Sequence, residues 1–287
     1  MTVAEAIRDA ANRLTSSSDT ARLDAEVIMA HALDCSRTDL LLRHMPSAAP
    51  ASFAPLVERR MAHEPVAYIV GTQEFYGLEL AVSPAVLIPR GDSETLIEAA
   101  RESLKESPPR RILDLGTGSG ALLLAALSIW PEAVGIGIDR SPDALGVASA
   151  NGERHAPSAR FLQRDWAQAG WADGLGTFDL VLANPPYVED TAELAPSVRA
   201  HEPAGALFAG TDGLDDYRLL VPQLPALLAP AGMAMVEIGW TQNEAVIALA
   251  EVSGMTARLH RDLAGRPRAV EMAKRRNIPL GKAGADD

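Results

Sequence analysis

Apolar positions at the amino-terminal end repeat with a helical period. Val3, Ile7, Ala10 and Leu14 share one face, and Leu23, Val27, Ala30 and Ala32 continue on a second helix after a cap-rich turn over Ser16–Asp19. Further helical segments are predicted over Leu40–His44 and Phe53–Ala62, around Pro46, Pro50 and Pro55. The expectation is a small helical bundle over residues 1–72. The period then changes. Glu74–Val82 reads as strand and turn, with alternation from Leu78 to Leu80, and Val86–Arg90 is a second apolar run stopped by Pro89. Together they predict a β-hairpin connector over residues 73–91. Gly91-Asp92-Ser93-Glu94 then offers helix-start chemistry for a helix carrying Leu96, Ile97 and Ala100.

From Arg111 onward, strands and helices alternate. Arg111–Leu115 reads as a strand, Gly116–Gly120 as a tight glycine turn and Ala121–Ile129 as an apolar helix. Strands follow at Val134–Ile138, Ala159–Gln163 and Phe178–Ala183. A helix over Leu214–Leu228, interrupted by Pro222 and Pro225, leads to a strand at Gly232–Ile238, a helix at Ala245–Val252 and a terminal strand pair, Met255–His260 and Ala269–Ala273. This pattern predicts an α/β domain over residues 92–277, with residues 278–287 as a tail.

Composition narrows the partners. A chain of 287 residues suits one large domain and a smaller one. The formal net charge of -12 opposes a phosphate-backbone partner, so no direct nucleic-acid contact is expected. The helical region carries seven Arg against nine Asp plus Glu, which offers no basic face by counting. Cys35 is the only cysteine and the six histidines never fall at metal-ligand spacing, so no disulfide and no metal are expected. No charged-then-apolar segment opens the chain and no apolar stretch is long enough to span a bilayer, so a cytoplasmic monomer without a membrane partner is the expectation.

Candidate chemistry gathers at the strand ends. Pro185 and Pro186 stop the strand Phe178–Ala183 and leave Asn184 at its carboxyl end, the rim where open α/β sheets bind ligands. The Asn184 side-chain oxygen and the Pro185 carbonyl can both accept from a planar NH2 group, on which Tyr187 could stack. Alone, the four residues read equally well as a turn closing a core strand. Gly116, Gly118 and Gly120 let a ligand approach the backbone at a helix start, and Asp139 ends the next strand, where an acid accepts from ribose hydroxyls. Helix capping is the other reading of Asp139. Asp165-Trp166 ends the third strand, suited to an adenine amino group and ring, although a tryptophan there is as readily core. Asp114, just before the glycines, favours S-adenosylmethionine over NAD, because that ligand has no pyrophosphate and a carboxylate can hold its amino-acid end. Arg90 either pairs with a carboxylate or lines the site.

These motifs together, Asp114-x-Gly116-x-Gly118-x-Gly120, Asp139, Asp165-Trp166 and Asn184-Pro185-Pro186-Tyr187, resemble those of class I S-adenosylmethionine-dependent methyltransferases. More narrowly, the chain resembles the HemK/PrmC family, the N5-glutamine methyltransferases of peptide chain release factors. Tyr68-Ile69-Val70-Gly71 with Glu74-Phe75-Tyr76-Gly77, Leu87-Ile88-Pro89-Arg90, Glu202-Pro203 with Asp212-Gly213-Leu214, and Asp262-Leu263-Ala264-Gly265-Arg266 match as well. One departure is Gly91, where the family usually carries proline.

The resemblance implies a Rossmann-like seven-stranded sheet, with residues 1–72 recognising a class I release factor. It implies that Asp114, Gly116, Thr117, Gly118, Ser119, Gly120, Asp139, Asp165, Trp166 and Asn184 bind S-adenosylmethionine. Asn184, Pro185 and Tyr187 would be catalytic, and Pro186, Phe75 and Arg90 would join them around the substrate glutamine. The sequence leaves other readings open: glutamine on a ribosomal protein, adenine N6 in DNA or RNA, an NAD-dependent oxidoreductase, or a non-catalytic adaptor.

Overall fold

The computed structural model describes residues 1–275; the expected tail at 278–287 lies outside them. Helices Val3–Leu14, Ala21–Ala32, Phe53–Met61 and Val66–Val70, with a π-helical turn at Leu40–His44, form the amino-terminal part. Thr2 and Glu5 make a reciprocal capping box at its first helix. The amphipathic faces meet in a core of their own, including Ile7, Leu14, Ile28, Met29, Phe53 and Val57. Two buried carboxylates there are paired: Asp24 accepts from Arg60 at 2.7 Å, and Glu26 accepts from Arg22 at 2.5 Å and Arg37 at 2.7 Å.

Strands β1 (Thr72–Phe75) and β2 (Leu78–Ala81) form the hairpin. Its two-residue turn holds Tyr76 and Gly77 at φ of 52° and 77°, the left-handed pair that suits a tight hairpin. Tyr76 tolerates that backbone because its amide donates to Glu94 Oε1 at 3.0 Å and its hydroxyl to Glu98. The second apolar run, Val86–Arg90, is not a strand, contrary to expectation. Pro89 removes a backbone donor from it, and side chains take over the pairing: Tyr68 donates its hydroxyl to the Val86 carbonyl at 2.6 Å, and Ile88 N donates to Glu202 Oε2 at 3.2 Å.

The large sheet contains β3 (Arg111–Leu115), β4 (Val134–Asp139), β5 (Arg160–Gln163), β6 (Phe178–Ala183), β7 (Leu228–Glu237), β8 (Met255–Arg261) and β9 (Pro267–Lys274). Its spatial order is β5-β4-β3-β6-β7-β9-β8, parallel from β5 to β7, with β9 antiparallel to both β7 and β8. Alternate residues serve opposite faces. Leu113, Leu115, Val181 and Ala183 enter one core, while Ile112, Leu180 and Leu182 enter the other, under the apolar helix Ala121–Ile129. Chain order reverses between β3 and β6, so a crevice opens beyond their carboxyl ends.

Two contacts join the parts. A small cluster of Ala67, Tyr68, Val82, Val86, Ile88 and Ala144 links the last amino-terminal helix, the connector and helix Pro142–His155. Asn151, fully buried on that helix, accepts from Ala81 N at 2.7 Å and donates to the carbonyls of Ala81 and Ser119, each at 2.9 Å. Every polar atom of this amide is used, which clamps the hairpin to the glycine turn. Among the described residues no helix is long and apolar enough to cross a membrane.

Candidate active site

A cavity of about 200 Å³ sits at the crevice. The loop after β3 supplies Gly116, Thr117, Gly118 and Ser119, all lining it together with Asp114. Gly116, Gly118 and Gly120 have φ of 70°, 54° and 85°, a conformation that side chains with a Cβ rarely adopt. Gly116 is constrained twice over, since a Cβ there would meet the Trp166 ring at 3.1 Å. The indole therefore lies against bare backbone at the mouth of the turn.

Asp114 is buried at the end region of β3. Its Oδ2 accepts from Thr117 Oγ1 at 2.6 Å, while Oδ1 is sealed from water without a partner among the described residues. Burial pushes its pKa up to about 7, against the pull of the Thr117 hydroxyl. Asp139, at the end of β4, takes Ser141 N on Oδ1 at 2.9 Å and Gly118 N on Oδ2 at 3.0 Å. It thus pins the glycine turn and opens the next helix while lining the cavity. Asp165 and Trp166 line it as well, and Trp166 Nε1 donates to Asp216 Oδ1 at 3.1 Å. Burial raises the pKa of Asp216.

The opposite wall is built by the connector. Phe75 and residues 85–90 line the cavity, and Arg90 does so while pairing with the buried carboxylate of Glu202. Both readings of Arg90 therefore hold at once. Gly205 approaches so closely that Arg140 Nη2 donates to its carbonyl at 2.8 Å.

Asn184 and Pro186 line the cavity at the end of β6. Asn184 Nδ2 donates to Ser93 Oγ at 3.4 Å, and its Oδ1 has no hydrogen-bond partner among the described residues. Gly91-Asp92-Ser93-Glu94 does start a helix, Glu94–Ser103, through a 3₁₀ turn at Gly91–Ser93 that puts Ser93 at the N-cap position; the Ser93 side chain makes no cap bond, however, and the residue is buried beside Asn184. Pro185 is buried and, like Tyr187, stands outside the lining. The reading of Tyr187 as a ring over the pocket is thus corrected by its placement. Its side chain packs on the core face that includes Val236 and Ile238 and donates its hydroxyl to Glu237 Oε1 at 3.3 Å. A buried tyrosine hydroxyl needs an acceptor, and Glu237 is the acceptor within reach.

Glu237 and Asp216 are absent from the sequence reading, and Ser93 and Glu202 enter it only as helix-start and motif residues, not as site residues. Glu237 had a visible signal, an acid closing the apolar run Met233–Val236 as Asp139 closes β4. For Asp216, nothing local sets it apart from its acidic neighbour Asp215.

Residues 5–71 match the family model described as the PrmC N-terminal domain, and residues 106–257 match one described as a methyltransferase domain. The chain is 42% identical over 267 residues to a release factor glutamine methyltransferase of Rhodospirillum rubrum, covering 90% of this chain and 81% of the relative. It is 39% identical over 284 residues to one of Bradyrhizobium diazoefficiens, covering 95% of each. One of Xylella fastidiosa is 40% identical over 241 residues, covering 82% of this chain and 86% of the relative. Among solved structures, a ribosomal protein L11 methylase of Lactobacillus delbrueckii subsp. bulgaricus aligns with a TM-score of 0.47 at 20% identity, over 67% of this chain and 83% of that one.

Proposed function

The chain belongs to the release factor glutamine methyltransferases, and from that premise we propose that it methylates the side-chain nitrogen of the glutamine in the Gly-Gly-Gln loop of class I release factors. Its methyl donor is S-adenosylmethionine. One observation carries the fit of that donor: Asp114 lines the cavity and its buried carboxylate keeps Oδ1 without a partner among the described residues, a deficit that a positively charged amine beside it would offset. Gly116–Gly120 and Asp114 would hold the amino-acid end, Asp139 the ribose, and Asp165 with Trp166 the adenine. When bound, the donor supplies a methyl carbon made electrophilic by its sulfonium.

The protein's part is positioning. An amide nitrogen is a poor nucleophile because its lone pair is delocalised into the carbonyl. Asn184 Oδ1, which has no hydrogen-bond partner among the described residues, accepts one amide hydrogen, and the Pro185 carbonyl next along the chain accepts the other. Two acceptors raise electron density on the nitrogen and fix its direction, so orientation and electrostatics do most of the work. Asn184 Oδ1 then passes the departing proton to water, and no strong base is needed. Phe75, Pro186 and Arg90 wall the substrate side. The amino-terminal part, residues 1–72, recognises the release factor; the protein acts in the cytoplasm as a monomer and without direct nucleic-acid contact.

Incubation with labelled S-adenosylmethionine and a class I release factor, followed by mass mapping, should place the label on the loop glutamine. Asn184→Ala should reduce transfer by about a hundredfold or more with cofactor affinity retained. Label found on RNA or on a ribosomal protein, with none on the release factor, would overturn the assignment.

A further inference from the structure

The two oxygens that receive the substrate amide stand on a stretch of chain with few polar ties of its own. Pro185 and Pro186 have no backbone N–H to give, and among the described residues neither of their carbonyls accepts from another backbone group. Upstream, β6 fixes the chain as far as Ala183, which pairs with Leu115 and with Val236. Beyond the prolines, the first anchored backbone group is the Tyr187 carbonyl. It accepts from Gln242 Nε2 at 3.0 Å.

Gln242 occupies the N-cap position of helix Asn243–Val252, yet its side chain makes no cap bond. It is turned instead toward three backbone groups outside that helix. The same Nε2 that holds Tyr187 donates to the Gly213 carbonyl at 3.1 Å, and Oε1 accepts from Gly239 N at 3.0 Å. The donor end thus meets two carbonyls and the acceptor end meets an N–H, so only one orientation of the amide satisfies all three. Two glycines give it room. A Cβ on Gly213 would lie 2.4 Å from the Tyr187 carbonyl oxygen, and one on Gly239 would lie 2.7 Å from Gln242 Oε1. Gly213 also has φ of 68°, which a residue with a side chain rarely adopts. The glycine of the Asp212-Gly213-Leu214 motif therefore packs bare backbone against the chain as it leaves the site.

We propose that Gln242 is a positioning residue for methyl transfer: by fixing the Tyr187 carbonyl against Gly213 and Gly239, it sets where Asn184 Oδ1 and the Pro185 carbonyl stand. This rests on the reading of those two oxygens as the acceptors for the substrate amide. Gln242 is absent from the cavity lining, so it acts through the backbone and not by touching a substrate. The other ties nearby do a different job. The Tyr187 hydroxyl on Glu237 restrains a side chain, and the Val188 pairing with Leu207 and Ala209, at 2.8 and 2.9 Å, joins one loop to another. Gln242 alone among these refers the turn to the sheet, because Gly239 follows β7 directly and its neighbour Ile238 donates its N–H to the Arg268 carbonyl of β9 at 2.9 Å. The acceptor turn is then fixed to the sheet at both ends.

The test is single-turnover methyl transfer to a class I release factor, with S-adenosylmethionine and release factor both saturating, for wild type, Gln242→Ala, Gln242→Glu, Asn184→Ala and the Gln242→Ala/Asn184→Ala pair. Affinity for S-adenosylhomocysteine, KM for the release factor and Tm are measured beside it. Gln242→Ala should slow transfer about ten- to a hundredfold while S-adenosylhomocysteine affinity and KM stay within about twofold of wild type. Gln242→Glu keeps the shape and the bond from Gly239 N but sets an acceptor against two carbonyls, so it should lose at least as much. In the Asn184→Ala background the Gln242→Ala loss should shrink to about threefold, because one of the two acceptors it places is gone. A loss carried by KM alone, a rate that falls only in step with S-adenosylhomocysteine affinity, a fully active Gln242→Glu, or an equal Gln242→Ala loss in both backgrounds would overturn the proposal. An inactive Asn184→Ala beside a fully active Gln242→Ala would overturn it alone, whereas a fully active Asn184→Ala would remove the reading beneath it.

Discussion

Asp114 is neutral at low pH because burial has moved its titration to about 7, and the charged amine of the donor needs it ionised. Affinity for S-adenosylhomocysteine should therefore weaken by about tenfold per pH unit below about 7 and level off above it, and Asp114→Asn should abolish the dependence while weakening binding. Calorimetry in buffers of different ionisation heat would show the proton released on binding. Glu237 is shifted in the same direction, and for stability the consequence runs the other way. Its folded pKa, about 7, lies above the usual carboxylate value, so the stability it contributes is fully present at low pH and is lost as pH rises through 7. Relative to wild type, Glu237→Gln should gain on the order of 2–3 kcal/mol between pH 5 and pH 8 in urea unfolding. Which residues were legible follows from the same chemistry. Asp139, Asp165 and Asn184 could be read because a polar residue ending an apolar strand has few uses except at the rim. Ser93 could not, since its partner lies 91 positions away and a serine before a helix ordinarily caps it. Tyr187 reads into the pocket because the acid that closes the run Met233–Val236 lies 50 positions on, and local sequence does not show that the two side chains meet.

Helix Pro142–His155 shows how one element can serve two others. Asn151 on it satisfies the backbone of β2 and of the glycine turn together, so Asn151→Ala removes the partner of three backbone groups, one buried and two partly buried. A loss of about 2–4 kcal/mol is expected, which should lower the Tm by about 5–10 °C in a thermal melt, with weaker binding of S-adenosylhomocysteine as the turn loosens. Strands β3 and β6 were legible to the residue, because a buried parallel strand is a short apolar run between clear stops. Val86–Arg90 has the same composition and no ladder. Its apolar side chains are buried by the junction cluster, and its carbonyl and amide are met by Tyr68 and Glu202, a solution in which no neighbouring strand is required. Strand β7 begins at Leu228, ahead of the expected Gly232, because its parallel partner β6 extends pairing back to Phe178 across a register shift. Such extension is set by a neighbour, and local propensity carries no trace of it.

Across the whole molecule, alternation of strands and helices announces a layered α/β sheet, but the strand order depends on pairings between segments far apart in sequence. The antiparallel insertion of β9 between β7 and β8 is of that kind. The amino-terminal part has its own core yet shares the junction cluster and, through the hairpin, the Asn151 clamp with the rest. Calorimetry should accordingly show one unfolding transition rather than two, and S-adenosylhomocysteine at a hundred times its Kd should add about 2.7 kcal/mol, raising that transition by about 5–10 °C. This bracing has a geometric corollary for substrate choice. With the helical end and Asn184 carried on one stiff frame, the enzyme works as a fixed gauge: a target must offer its glutamine at a set distance from wherever it is gripped. One residue added to the presenting loop shifts the nitrogen by up to about 3.5 Å, well beyond the roughly 1 Å that methyl transfer forgives. Selectivity would then reside in a length, with the residues beside the glutamine left comparatively free to vary.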